Sequence, residues 1–297
     1  DGLAIKPSLK WKISNSKKTK QDLHLSYLMS GTPWSSDYSL NVNDGSFVGW
    51  VTLNNNSGTS FTDSNISLVA GEINRAKQPV ENLRMQKVYT EADSVQSESL
   101  FEYHMYTLPN KTDLPDKSIK QVKFVSSSNI ELQRKYTIEN HGYSYQSVNK
   151  IPVKVSVEFL NSDKNGLGIP LPKGLIRMFA TDSNGNNQFV GEDRVSHTPK
   201  NEKISLNAGE AFDIVSDFKE LSTRNLEGNK TEKKYQLSIR NRKDTIVTVS
   251  YKARLWGDVQ IKPSDMFKNI GNNWYESKIN INPNQEITLD YTVVFNN

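Results

Sequence analysis

The chain of 297 residues contains no cysteine. Thiol nucleophiles, disulfides and cysteine-ligated zinc or iron–sulfur centres are therefore excluded. Histidine is scarce: His24, His104, His141 and His197 make up the set, with no His-x-His or His-x-x-x-His spacing to put two ligands on one metal. Long apolar runs are missing as well. Stretches such as Leu68-Val69-Ala70 are as long as they become, so no segment reads as a membrane-spanning helix. Asn110-Lys111-Thr112-Asp113 matches the guanine-reading tetrapeptide of GTPases, but no Gly-rich phosphate loop accompanies it, and the Gly-x-Ser-x-Gly elbow of hydrolases is absent. The first residue is Asp1 rather than Met, and the sequence does not open on a signal-peptide pattern. The expectation is a processed or cut chain, which leaves export open.

What is present is ordinary for a folded protein: charged residues make up 24% and hydrophobic ones 35%, too rich in β-branched and aromatic residues for disorder. The net charge is +4, with lysines spread along the chain apart from a knot at Lys10, Lys12, Lys17, Lys18 and Lys20. Nucleic-acid binders concentrate basic and aromatic residues on one face, so nucleic acid is not an expected partner.

The hydrophobic period is two nearly everywhere. Leu23, Leu25, Tyr27 and Met29 alternate with polar residues, as do Val153 to Phe159, Tyr235 to Ile239, Val247 to Ala253 and Ile287 to Val293. Each such run buries one face of an antiparallel strand. Between the runs lie Asn43-Asp44-Gly45, Asn165-Gly166, Asn184-Gly185, Pro199-Lys200-Asn201 and Asn269-Ile270-Gly271, which supply turn conformations. The pattern predicts an all-β fold of antiparallel β-sandwich architecture with little helix. Two sandwich domains are expected: residues 1–147, with a long polar excursion at 75–99, and residues 148–297 as an Ig-like C-terminal sandwich. The excursion is the segment expected to be cut most readily by protease. The final run, Gln285 to Phe295, stops almost at the end of the sequence and is expected to be an edge strand able to pair with a neighbour.

Several motifs in this order form a specific combination. "LKWKI" is followed by "LSYLMSGTPWSSDYSL", "GWVTLNNNSGTSF" and "ISLVAGEINR", then by "FEYHMYTLP", "KQVKFV" and "NGLGIPLPKGLIRMF", and finally by "FVGEDRVSHTPKNEKISLNAGEAFDIV" and "YQLSIRNRKDTIVTVSY". Along essentially its whole length the chain resembles the bacterial domain-of-unknown-function 4139 family, the mucoidy-inhibitor-like proteins. Larger members carry an N-terminal extension; this sequence starts directly at "LAIKPSLKW", as a short member or a fragment would. The resemblance implies a β-sandwich and an exported life at the periplasm, cell surface or outside the cell. It implies no activity.

Candidate binding residues are few. Trp34, after the Gly31-Thr32-Pro33 turn, and Tyr38 would suit stacking against a sugar; the competing reading has Trp34 and Trp50 plug the sandwich ends. Alternation puts Glu102, His104 and Tyr106 on one strand face, the best local acid–base group, although an exposed or satisfied strand histidine accounts for it better. His197 is expected to bond to the backbone of a turn. Asp182, Asn184 and Asn186 loosely follow a calcium loop, but the glycine stands one place early and no acid closes the set, so a hairpin turn is expected. No metal, cofactor or catalytic residue is assigned. The functional expectation is a non-catalytic, structural or protein-binding module of the bacterial cell envelope, with a protein partner or self-association through an edge strand. A carbohydrate-binding module is the alternative and an uncharacterised hydrolase the next.

Overall fold

A strand with one apolar face persists only where neighbouring strands take its backbone hydrogen bonds. The computed structural model of the protein describes residues 12, 24–70, 88–89, 96–100, 103–108, 110–142 and 150–296. Its first strands are β1 (Trp34–Asn41), β2 (Phe47–Asn55), β3 (Phe61–Ser64), β4 (Ser67–Ala70), β5 (Val88–Tyr89), β6 (Gln96–Leu100), β7 (Tyr103–Thr107), β8 (Thr112–Leu114) and β9 (Ser118–Ser127). There follow β10 (Gln133–Asn140), β11 (Lys154–Leu160), β12 (Gly174–Thr181), β13 (Asn187–Val195) and β14 (Lys203–Glu210). The last are β15 (Ile214–Leu226), β16 (Lys230–Asn241), β17 (Val247–Arg254), β18 (Asp258–Lys262), β19 (Lys268–Gly271), β20 (Trp274–Ile281) and β21 (Glu286–Asn296). Helical structure among the described residues amounts to two single 3-10 turns, at Asp163–Asn165 and Ser264–Met266. No described helix is long and apolar enough to cross a membrane.

The strands form an all-β, sandwich-like fold rich in antiparallel pairs. Two sheets have six strands each, in the orders β13-β12-β1-β2-β9-β5 and β14-β11-β10-β17-β20-β19. A third has the order β15-β16-β21-β18, and β3-β8 and β4-β7-β6 are smaller. Three ladders are parallel: β1 with β12, β10 with β17 and β5 with β9. Parallel neighbours need long crossovers, and these join segments far apart in sequence.

Two apolar cores result. The first gathers Tyr38, Phe47, Val51, Phe124, Ile176 and Met178 with Phe159 and Leu206. The second gathers Phe218, Tyr235, Leu237 and Tyr291 with Ile138, Val249 and Tyr251. Val157, Phe159, Ile204 and Leu206 of the second six-stranded sheet face the first core, whereas Tyr136, Ile138, Val249 and Ile279 of that same sheet face the second. One sheet therefore backs both cores.

This arrangement departs from the boundary expected at 147/148. The β1–β12 ladder runs from Ser36 opposite Gly174 to Asn41 opposite Phe179, so residues assigned to the C-terminal half complete a sheet of the N-terminal one. The excursion at 75–99 lies mostly outside the described residues; the pieces that are described, β5 and β6, pair with β9 and β7. The alternating run at 23–29 is not a strand over its described part: Leu25, Tyr27 and Leu28 are exposed, with no neighbouring strand to take their backbone groups. The largest correction concerns the final run. β21 pairs with β16 along its whole length and with β18 over Thr292–Asn296, so its second half is interior and not an edge.

The two cores repeat a topology that the sequence does not repeat. Hairpin β1–β2 is flanked by β9 as hairpin β15–β16 is flanked by β21, and the order β4-β7-β6 matches β17-β20-β19. Each copy ends its second strand with a fully buried asparagine. The Asn55 amide nitrogen lies within 2.8–3.0 Å of the Thr59, Leu114 and Pro115 carbonyls, and that of Asn241 within 2.8–3.1 Å of the Thr245, Ile281 and Asn282 carbonyls. Their side-chain oxygens accept the N–H groups of Ser57 and Lys243. Such a side chain satisfies the backbone where a strand leaves the sheet, where an unpaired buried group would cost about 1–3 kcal/mol.

Deleting residues 286–297 removes Leu289, Tyr291 and Val293 from the second core together with two ladders. The truncated protein is expected to lose its near-ultraviolet circular dichroism and cooperative melting; retention of both would contradict the interior placement of β21.

Candidate functional site

The inner face of β1 is set by alternation: Ser36, Tyr38 and Leu40 are buried and Trp34, at the strand's start, is half-buried against the first core. Tyr38 is only 2% exposed, stacked on Phe47 with ring centroids 5.4 Å apart. Its hydroxyl donates to the Pro172 carbonyl at 2.6 Å, and burial pushes the phenol well above its ordinary pKa. The ring is part of the core and presents no face for stacking. Trp34 differs, because it borders an open depression of about 570 Å³.

That depression forms where β1 meets the segment Ile169-Pro170-Leu171-Pro172-Lys173. Tyr106 donates to the Pro170 carbonyl at 2.7 Å, Tyr38 to that of Pro172, and Ser36 to that of Lys173 at 2.8 Å. The Leu171 N–H and carbonyl pair with those of Thr198, and the Lys173 N–H donates to His197 Nδ1 at 3.2 Å. His197 thus takes a backbone bond, as its place before Thr198-Pro199 suggested. With two prolines already restricting its backbone, the strap is fixed at each residue from Pro170 to Lys173 and carries Lys173 to the rim.

Gly174 lets the strap and β1 approach. A Cβ there would lie 2.4 Å from the Ser36 carbonyl oxygen and 2.8 Å from the Tyr38 ring. Register then places Asp37 of β1, Leu175 of β12 and Arg194 of β13 side by side across three strands. Trp34, Asp37, Lys173, Arg194 and His197 all line the depression.

The other expected site residues fare differently. His104, on β7 opposite Ala70, stands behind the wall that Val69 and Ala70 give the depression, and Tyr106 is buried in the core. Glu102 lies outside the described residues, so the acid–base group expected from Glu102 and His104 falls there too. Asp182 accepts from the Asn184 and Asn186 N–H groups, both at 2.9 Å, and these bonds hold its carboxyl below the usual range; it organises the β12–β13 turn. Lys173 and Arg194 were not visible in the sequence, because the pairing of β1 with β12, and of β12 with β13, brings them to Trp34 from far along the chain.

A second concavity, of about 630 Å³, lies on the outer face of the sheet that backs both cores. Its side chains come from alternate positions: Lys135 and Glu139 of β10, Lys154 and Glu158 of β11, Lys252 of β17 and Glu276 and Lys278 of β20. Glu158, largely buried, is bridged by Lys135 and Lys203 and accepts from the Ser205 hydroxyl. Lys154 pairs with Glu139 at 2.7 Å, and Ser250 donates to Glu276 at 2.6 Å. Lys278 forms no ion pair with a described residue.

Compared with models of protein families, with curated proteins and with solved structures, the chain matches none. What can be said of the sites therefore comes from their own chemistry.

Burial by itself would raise the Glu158 pKa, but hydrogen bonds from Lys135 and Lys203 outweigh it and hold the carboxyl below its ordinary value. A carboxyl depressed in the folded state stabilises the fold above its unfolded pKa, about 4.3, and ceases to do so as the pH falls through the folded value. Glu158→Gln is expected to cost about 1 kcal/mol at pH 7. Denaturant titration at several pH values checks this: the difference from the parent protein should shrink below pH ~4 and vanish in stronger acid. A difference that is the same at every pH would contradict the bridging role.

Proposed function

We propose that this protein is a non-catalytic binding module of the bacterial cell envelope that holds a protein partner against the concave outer face of its central six-stranded sheet. The supporting observation is the charge on that face. Six cations and four carboxylates line it, and three of the carboxylates are already engaged by Lys135, Lys203, Lys154 or Ser250. The surplus, at Lys252 and Lys278, is offered outward and complements a partner segment that carries carboxylates. The surface spans several strands without an apolar pocket, which suits a macromolecule better than a small substrate.

Recognition through an open edge is less favoured. The outer strands of this sheet are β15 and β18, and the longer of them, β15, is interrupted along its length. The Ser216 carbonyl accepts from Ile151 N–H and the Ser216 hydroxyl donates to Ile151, which closes its first part. A bulge at Leu221 then interrupts the ladder, a device that discourages strand addition. The envelope assignment follows the resemblance to the domain-of-unknown-function 4139 family and is part of the proposal.

The double variant Lys252→Glu/Lys278→Glu should fold as the parent does, since both side chains point to solvent. In the bacterium that makes the protein, in-cell crosslinking followed by mass spectrometry should show the crosslinked partner reduced at least about tenfold, a loss of ~1.4 kcal/mol. Crosslinking to the same partner at the same yield would refute the use of this face.

A further inference from the structure

We infer that the Trp34 depression is a second, separate binding site, and that its ligand is a sugar carrying a carboxylate, such as a hexuronic acid unit of a polysaccharide. Nothing in this inference depends on the central-sheet face, with which the depression shares no lining residue.

Three observations carry it. The first is charge without a partner. Asp37 and Glu192 both lie 3.6 Å from Arg177, so the acids of this surface are turned toward that arginine. Lys173 and Arg194, on the rim of the same depression, form no ion pair with any described residue. Two unpaired cations facing one concavity favour an anion there, and the planar fork of an arginine suits a carboxylate in particular.

The second is shape. Trp34, on the inner side of β1, and the row Asp37, Leu175, Arg194, on the outer side of β1, β12 and β13, both border the depression where the sheet ends. At the usual interstrand spacing the two ends of that row lie about 10 Å apart. A pyranose ring fits a depression of this size: its C–H face lies against Trp34, its carboxylate reaches Lys173 and Arg194 at the rim, and its hydroxyls donate to Asp37. The depression opens to solvent, so a chain of sugars could continue beyond the bound unit.

The third is rigidity. The strap that presents Lys173 is held by Tyr106, Tyr38, Ser36, Thr198 and His197, and the close approach at Gly174 leaves it no room to shift. A surface held in place before the ligand arrives loses little entropy on binding. This also gives Tyr38 a use: buried beneath the site, it positions the strap and does not touch the ligand.

Isothermal titration calorimetry of the full chain with trigalacturonate and triglucuronate, at low and at physiological salt, tests the proposal. Uncharged galactose and glucose trimers and tetraglutamate serve as comparisons. At least one uronate should bind at least tenfold more tightly than its uncharged counterpart and than tetraglutamate, and binding should weaken with salt. Arg194→Gln and Lys173→Gln, both surface changes, should each reduce that binding at least fivefold while leaving the melting temperature unchanged. Trp34→Phe should retain part of it. No binding of either uronate, equal binding of the uncharged trimers, tetraglutamate binding as tightly, or uronate binding untouched by both glutamine variants would each overturn the proposal.

Discussion

Strand β10 is held on both edges by ladders that serve different cores. Residues 133–137 pair antiparallel with β11, whose Val157 and Phe159 face the first core. Residues 136–140 pair in parallel with β17, whose Val249 and Tyr251 face the second. Tyr136 and Thr137 belong to both ladders. Interior backbone pairs of this kind are costly to leave unmade, so the continuity of one sheet under two cores constrains everything else. One face of that sheet is taken up by the cores, and alternation along five strands fills the other with lysine, glutamate and hydroxyl side chains.

Each core repeats a hairpin flanked by a third strand and closed by a buried asparagine. The matching positions, Asn55 and Asn241, stand in sequences that share little beyond an asparagine at the end of an alternating run. Topology and polar closure can be conserved within a chain while the apolar filling differs. Phe47, Phe124 and Met178 pack the first core, and Tyr235, Tyr251, Tyr291 and Phe267 the second, where the Tyr251 and Tyr291 hydroxyls lie 2.7 Å apart inside the aromatic cluster.

Alternation made the strand content legible: Tyr235 to Ile239, Val247 to Ala253 and Ile287 to Val293 fall in strands, as does Val153 to Phe159 apart from Val153 itself. It did not reveal which strands are neighbours, since a period of two fixes the face of a residue and says nothing of its partner. Hence the final run reads as an edge although β18, whose short sequence Asp258–Lys262 gives little signal, covers its last five residues, Thr292–Asn296. The same limit separates Trp34 from Lys173 and Arg194. Tyr38 was readable: in Trp34–Asn41 the pattern that exposes Ser35 points Ser36, Tyr38 and Leu40 inward. His104, by contrast, shares its face with buried Tyr106, and its neighbourhood depends on a strand pairing that one sequence does not show.

The account stands on the two cores sharing one sheet, and calorimetric unfolding of the full chain measures that directly. A shared sheet predicts a single transition whose calorimetric and van 't Hoff enthalpies agree, with Leu206→Ala in the first core and Leu237→Ala in the second each lowering the midpoint of that one transition. Two transitions, each shifted by only one of the substitutions, would show that the cores fold independently and contradict it.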